Sequence, residues 1–316
     1  MLLSIIIPTY INKDRSIDRL LLTLKGYELQ DCKENYEVIV VDDGSTCKIE
    51  NKVANIKIKN LQIVRKKHKG MASAMNLGAS IAKGKYVLLG IDDNVPDEFA
   101  VGNMIQNIHR FGNVMLMGRE FKLMYVTWMK NIITPEYVKN VNIVAFKNEF
   151  KKELKLFPSI SFLDIALHRQ ELFDLATLGE NYKQFKDFLD DPNNAEFQWI
   201  CWRPGEIVVE RKMFFNIGGF DENFDPSNWY SDLEFGYRAN KAGYALKYIE
   251  DVKFLHLNHE KFFSGTNDEI FCYKYMIKKH KDINLALMPF LWHARKIEDL
   301  KDMILRINNL FQCVYK

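Results

Sequence analysis

The sequence predicts an α/β fold, with a central, mainly parallel sheet flanked by helices and a helical segment at the C-terminal end. Three observations carry that expectation. Leu3–Ile7, Tyr36–Val41 and Tyr86–Ile91 are short continuous apolar runs, the pattern of strands buried on both faces. Between them apolar residues recur at three-to-four spacing, as on amphipathic helices. Strands and helices alternating at this interval make βαβ units, which require parallel pairing with right-handed crossovers.

Taken in order, the first strand runs from Leu3 to Ile7 and is closed by Pro8. Ile17, Leu20, Leu21 and Leu24 then mark a helix that Asp14 or Ser16 would cap. YEVIVV, ending at Val41, is stopped by Asp42-Asp43-Gly44-Ser45, and Leu61–Val64 is a short third strand. Met71, Ala74, Met75 and Gly78 line one face of a helix ending near Gly84, and YVLLGI is the fourth strand. The stretch from Met115 to Trp199 shows no clear period and is expected to cover the far side of a crevice. Beyond it, Leu287, Phe290, Leu291, Ile297, Leu300, Ile304 and Ile307 recur at helical spacing. They predict a helical extension, 261–316, packed on a domain of residues 1–260. Dimerisation or contact with a membrane surface through these helices are the alternatives.

Composition excludes several classes. Of 316 residues, 47% are hydrophobic and 27% charged, with 16 Gly and 8 Pro, which rules out collagen-like and disordered chains. The net charge of +3 is too small to predict a nucleic-acid partner. Five scattered cysteines without a Cys-x-x-Cys pair suggest neither a zinc knuckle nor a disulfide framework. No basic n-region precedes the first strand and no apolar run reaches about 20 residues, so the expected location is the cytoplasm or the inner face of a membrane.

In parallel sheets ligands gather beyond the carboxyl ends of the strands. Those ends carry Pro8-Thr9-Tyr10, Asp42-Asp43-Gly44-Ser45 and Asp92-Asp93-Asn94, three polar tips that would share one crevice. Hard divalent cations take oxygen ligands and bridge protein carboxylates to phosphates, so Asp92 and Asp93 could supply a metal ligand and a ribose contact. Plain turn chemistry explains the same residues as well.

SIIIPTY, EVIVVDDGS, HKGMASAMNLGASIAKGKY and VLLGIDDNVP, in that order, resemble the nucleotide-binding half of family-2 glycosyltransferases of the GT-A fold, a Rossmann-like architecture. ERKMFFNIGGFDENFDPSNWYSDLEFGYRANKAGY is similar to the acceptor-side segment shared with galactosyltransferases and chondroitin-polymerase-like enzymes. The resemblance covers residues 1 to about 100, the nucleotide half, and 203 to 260, within an acceptor half of 101–260. It implies that Pro8, Thr9 and Tyr10 line the base and ribose pocket, that Asp42 and Asp43 hold a uracil-type base, and that Gly70 and Asn76 lie on the donor side. Asp93 and Asn94 match the last two places of the family's Asp-x-Asp, which coordinates metal and ribose. Asn94 replaces a usual carboxylate, and Met75 stands where Arg is common.

The resemblance makes Asp232 the general base that deprotonates the acceptor hydroxyl, with Ser231 in the first place of the family's carboxylate pair. Ser231-Asp232-Leu233-Glu234 also reads as a capping box, Ser231 capping and Glu234 at the third helical position. Ser231, Glu234 and Trp229 fall on the acceptor side, Trp229 because an aromatic face packs on a sugar's C–H side. The family brings a histidine from this region to the metal; His259 is the first choice and His256 the second. Arg65, Lys66, Lys67, His68 and Lys69 form a basic cluster, either a solvated loop or an attractor for a diphosphate. Trp199 and Trp202 read as core, and Gly218-Gly219 as a tight turn.

The expectation is therefore an inverting, Mn²⁺- or Mg²⁺-dependent glycosyltransferase. It would move a sugar from a UDP-sugar to a hydroxyl of a glycan or glycolipid acceptor in cell-surface polysaccharide synthesis. A retaining transferase and a nucleotide-sugar-binding protein with decayed catalysis are the rivals.

Overall fold

The structure is a computed structural model that describes residues 1–12, 17–112, 114–123, 160–179, 182–203, 205–226, 230–258, 266–282, 284–285 and 296–314. Asp14 and Ser16, Trp229, His259, Leu287, Phe290 and Leu291 lie outside the described residues.

Strands β1 (Leu3–Thr9), β2 (Tyr36–Asp42), β3 (Leu61–Arg65) and β4 (Tyr86–Leu89) pair in parallel in the order β3-β2-β1-β4. Helices α1 (Asp18–Glu28), the single turn α2 (Ile49–Lys52) and α3 (Met71–Ile81) make the crossovers. The sheet then continues with mixed direction. β5 (Asn94–Pro96), α4 (Ala100–Phe111), β6 (Met115–Leu123), α5 (Phe162–Leu167), α6 (Arg169–Leu175), β7 (Thr177–Leu178) and α7 (Tyr182–Asp190) follow in the chain. After a 3-10 helix, Pro192–Cys201, come β8 (Ile207–Glu210), α8 (Arg211–Asn216), α9 (Ser231–Lys241) and β9 (Leu246–Leu257). Helices α10 (Thr266–His280) and α11 (Ile297–Val314) complete the order. The sheet reads β3-β2-β1-β4-β8-β6-β9-β5, with β8 antiparallel to β4 and β6, and β9 parallel to β6.

Two expectations are corrected at the strand tips. Pro8 does not close β1, which continues to Thr9 paired with Asp42. Pairing with β4 stops at Ile6, so the missing Pro8 N–H removes no ladder bond on that side. The fourth strand ends at Leu89 rather than Ile91, and Asn94 is not in a turn: it begins β5, antiparallel to β9.

Alternation along β1 divides the core. Ile6 faces the cluster that holds Met75, Trp202, Phe214 and Phe235, whereas Ile5 and Ile7 face Leu20, Leu24, Met104 and Ile105 on the opposite side. The first cluster also contains Cys272, Met276, Ile297, Leu300 and Ile304, so the apolar stripe of α11 is spent against the same core as α3. The helix packs against α7 and the 3-10 helix Pro192–Cys201. No helix among the described residues is long and apolar enough to cross a membrane.

Helix α3 lies directly on β1: a Cβ at Gly78 would stand 2.3 Å from Ile6 Cγ2. Gly78→Val should therefore lift the helix off the sheet and cost about 1–3 kcal/mol or more of unfolding free energy, read from the denaturant midpoint.

Candidate functional site

The carboxyl ends of β1, β2 and β4 meet as the alternation of elements requires. Thr9, at the end of β1, donates its hydroxyl to Asp92 Oδ2 at 2.6 Å, tying the first tip to the third. Asp42 is fully buried; its Oδ1 accepts the Ser45 N–H at 2.8 Å and Arg65 lies 3.2 Å from its Oδ2. Its carboxylate thus shapes the turn. The neighbouring Asp43 accepts Lys66 Nζ at 2.5 Å and the Lys69 N–H at 3.1 Å, and His68 Nδ1 lies 2.8 Å away. The basic cluster is accordingly paired with the strand tips, and Lys69 also bonds Glu222.

At the third tip Asp93 and Asn94 are buried, and the antiparallel register of β5 and β9 sets Asn94 opposite His256. His256 Nδ1 lies 3.0 Å from Asn94 Oδ1 and 3.6 Å from Asp93 Oδ1, while Arg19 of α1 stands 3.7 Å from Asp93 Oδ2. Carboxylate, amide oxygen and imidazole are donors that suit a hard divalent ion, and the structure brings these three together. Among the described residues, however, no three His, Cys, Asp or Glu side chains form a metal cluster. An ion here would need phosphate oxygens to complete its shell, which is how Mg²⁺ is usually held.

The acceptor-side segment is clamped onto α3. Asp225, 3% exposed, accepts the N–H of Ala72 at 2.7 Å and of Ser73 at 3.0 Å, satisfying donors that every helix start leaves unpaired. Gly70 serves this contact, since a Cβ there would meet Asp225 at 2.6 Å in a backbone with φ of 149°. Asn76, placed on the donor side by resemblance, instead donates to Phe220 O at 2.9 Å and accepts the Phe220 N–H at 2.8 Å. Its amide completes the clamp. Gly218 and Gly219 turn with φ of 90° and 65°, as their sequence suggested.

Helix α9 follows, with Gly236 pressed on Trp202 and Phe235 stacked on Phe220 at 4.9 Å. Asp232, part-exposed in its first turn, lines a small, mainly apolar cavity with Met71, Met75, Gly90, Ile91 and Arg203. The capping box is not formed: Tyr230, at φ of 62°, takes the cap position and Ser231 is the first helical residue, buried. Glu234 is drawn away by cations rather than back toward the cap. It accepts Arg238 through both oxygens at 2.8 Å, Lys279 at 2.7 Å, and faces His280 Nε2 at 2.8 Å. Fully buried and filled by protein partners, Glu234 has no face for an acceptor; its role is to bind α10 to α9. Burial alone would raise its pKa, but the bonds from His280, Arg238 and Lys279 outweigh that and hold it at about 2.

Sequence patterns gave no sign of Asp225, Arg203 or Glu206. Arg203 is buried beneath the cavity, its guanidinium donating to Trp202 O at 2.6 Å and lying 5.1 Å from the Phe185 ring centroid. Glu206 is fully buried, bonded by the Tyr182 hydroxyl, and desolvation together with Glu120 raises its pKa. Asp225 and Glu206 act through partners far away in the chain, Ala72 and Tyr182.

The sequence profile of Glycosyl transferase family 2 matches residues 4–166. An uncharacterized glycosyltransferase of Bacillus subtilis, YfnE, is 24% identical over 299 residues, 90% of this chain and 73% of that protein. The chondroitin synthase of Escherichia coli is 29% identical over 267 residues, but the chain spans only 34% of its length. In three dimensions the fold is similar to Staphylococcus aureus TarS 1-349 solved with UDP-GlcNAc, with a TM-score of 0.56 at 16% identity over 90% of this chain and 70% of that one.

Two outcomes test the geometry. Asp225→Ala should cost about 0.5–2 kcal/mol, the usual loss for a helix cap, measured by denaturant unfolding. For Glu234 the folded pKa of about 2 lies below the ordinary glutamate value of 4.5, so its contribution is present above about pH 4.5 and is lost as pH falls toward 2. The shift corresponds to about 3 kcal/mol, so Glu234→Gln should flatten the acid limb of the stability–pH curve across that window.

Proposed function

Because the chain belongs to glycosyl transferase family 2, we propose that it moves a sugar from a UDP-sugar to a hydroxyl of a growing glycan, with inversion at the anomeric carbon. One observation carries this reading: Asp232 lines the same small cavity as Gly90 and Ile91, the residues that lead from β4 into Asp92-Asp93. Asp232 thereby lies beside the end of the strand whose polar sequel we assign to the donor. The UDP-GlcNAc held by TarS and the chondroitin synthase relatives support the donor and acceptor classes.

The residues divide the work. Tyr10 and Asp43 receive the base, Thr9 and Asp92 the ribose side. Asp93, Asn94 and His256 are the residues that would hold Mn²⁺ or Mg²⁺, which when bound offsets charge on a departing diphosphate. Asp232 sits in the first turn of α9, where the helix dipole favours its ionised form, and it takes the proton of the acceptor hydroxyl as that oxygen attacks. The Asp225 and Asn76 clamp holds α3 and the segment leading to Asp232 in one frame, and such positioning is a large part of what a transferase supplies.

Asp232→Asn should lower transfer by roughly 10²–10⁴-fold while leaving UDP affinity within about twofold of wild type by calorimetry. Wild-type turnover in that variant would remove Asp232 from the role of base. In a panel of nucleotide sugars with Mn²⁺, a UDP-sugar at 100 times its dissociation constant should stabilise the protein by about 2.7 kcal/mol. A product that keeps the donor's anomeric configuration would exclude inversion.

A further inference from the structure

His68 belongs to none of the roles above, yet it occupies the most ligand-like position in the crevice. Its ring stacks on Tyr10, with centroids 4.0 Å apart and planes 15° from parallel. Its Nδ1 lies 2.8 Å from Asp43 Oδ2 and 3.0 Å from the Asp43 carbonyl oxygen. A ring nitrogen this close to two acceptor oxygens carries the hydrogen and donates it. The loop is built for this approach: Gly44 has φ of 81°, and a Cβ there would stand 2.7 Å from the His68 backbone nitrogen. The imidazole is half exposed while the Asp43 side chain beneath it is 5% exposed.

A flat heterocycle that lays its face on Tyr10 and donates a ring N–H to Asp43 makes the two contacts a uracil ring would make there. Both rings cannot use the same face and the same carboxylate oxygen. We propose that His68 sets the affinity for the nucleotide donor, because its imidazole is a built-in occupant of the nucleobase slot that the incoming base must displace. The inference rests on the reading of Tyr10 and Asp43 as the base site. Only molecules with the slot open bind the base, so apparent affinity falls by the open fraction. Lys66 and the Lys69 N–H stay on Asp43 when His68 leaves, so the carboxylate remains paired and the opened slot keeps its shape.

The sign of the effect separates this role from an ordinary one. Truncating a residue that contacts the base, or that merely supports the loop, weakens binding; truncating a built-in competitor strengthens it. The test is calorimetric titration of UDP and of pyrophosphate into the wild-type chain, His68→Ala and His68→Phe, with thermal unfolding of each free protein to confirm folding. His68→Ala is expected to bind UDP three- to tenfold more tightly than wild type. His68→Phe, which keeps the stacking ring and loses the donor, should fall between them. Pyrophosphate has no base and should bind all three alike. UDP binding to His68→Ala that equals or falls below wild type would overturn the role of His68 and leave the base site standing. A gain that appears equally with pyrophosphate would overturn it too, since the loop would then act on the phosphates. Failure of both wild type and His68→Ala to bind UDP would instead sink the base-site reading, and the inference with it.

Discussion

The arrangement depends on one contact between distant parts of the chain: the buried carboxylate of Asp225 on the open N-terminus of α3. Helix α3 is the crossover from β3 to β4 and lies on β1, so its position is set by the sheet whose tips carry Thr9, Asp43 and Asp92. Asp225 belongs to the segment that leads into α9 and Asp232. One anion satisfying two amide groups therefore references the segment before α9 to the helix that lies on the strands. Asn76 repeats the link one turn along the helix by bonding the Phe220 backbone in both directions. Loss of such a contact leaves buried donors unsatisfied, and that asymmetry is why it holds.

Electrostatics then separates the acidic groups by task. Asp42 is spent in its turn, Asp225 on a helix start and Glu234 on Arg238, Lys279 and His280, each buried and bonded by protein groups. Asp232 is different, part-exposed on a small cavity at the start of a helix. Glu206 shows the alternative fate: desolvation and the nearby Glu120 raise its pKa more than Lys122 lowers it.

Much of this was legible in the sequence, for local reasons. Apolar runs such as Leu3–Ile7 and Tyr36–Val41 can only be interior strands, and α/β topology puts their polar sequels at one edge. Hence Thr9, Asp43, Asp92 and Asp93 do assemble, and His256 meets Asn94. What escaped was everything decided by register or by distant charge. Asn94 begins a strand because β9 offers it a partner 162 residues away. Ser231 and Glu234 fit a capping box by spacing, but Arg238, Lys279 and His280 make a better home for the carboxylate than a backbone N–H does. Gly70 and Asn76 sit in a motif that resembles a donor site, while the partners they found are Asp225 and Phe220.

If the strand-tip crevice binds a nucleotide sugar with Asp232 alongside it, a bound nucleotide will be seen there. A crystal structure of the chain with UDP and Mn²⁺ tests it most directly. The account predicts the uracil against Tyr10 and Asp43, the diphosphate running toward Asp93 and His256, and Asp232 on the far wall of the same opening. Nucleotide bound at any other surface, or diphosphate turned away from Asp93 with Asp232 beyond reach, would contradict it.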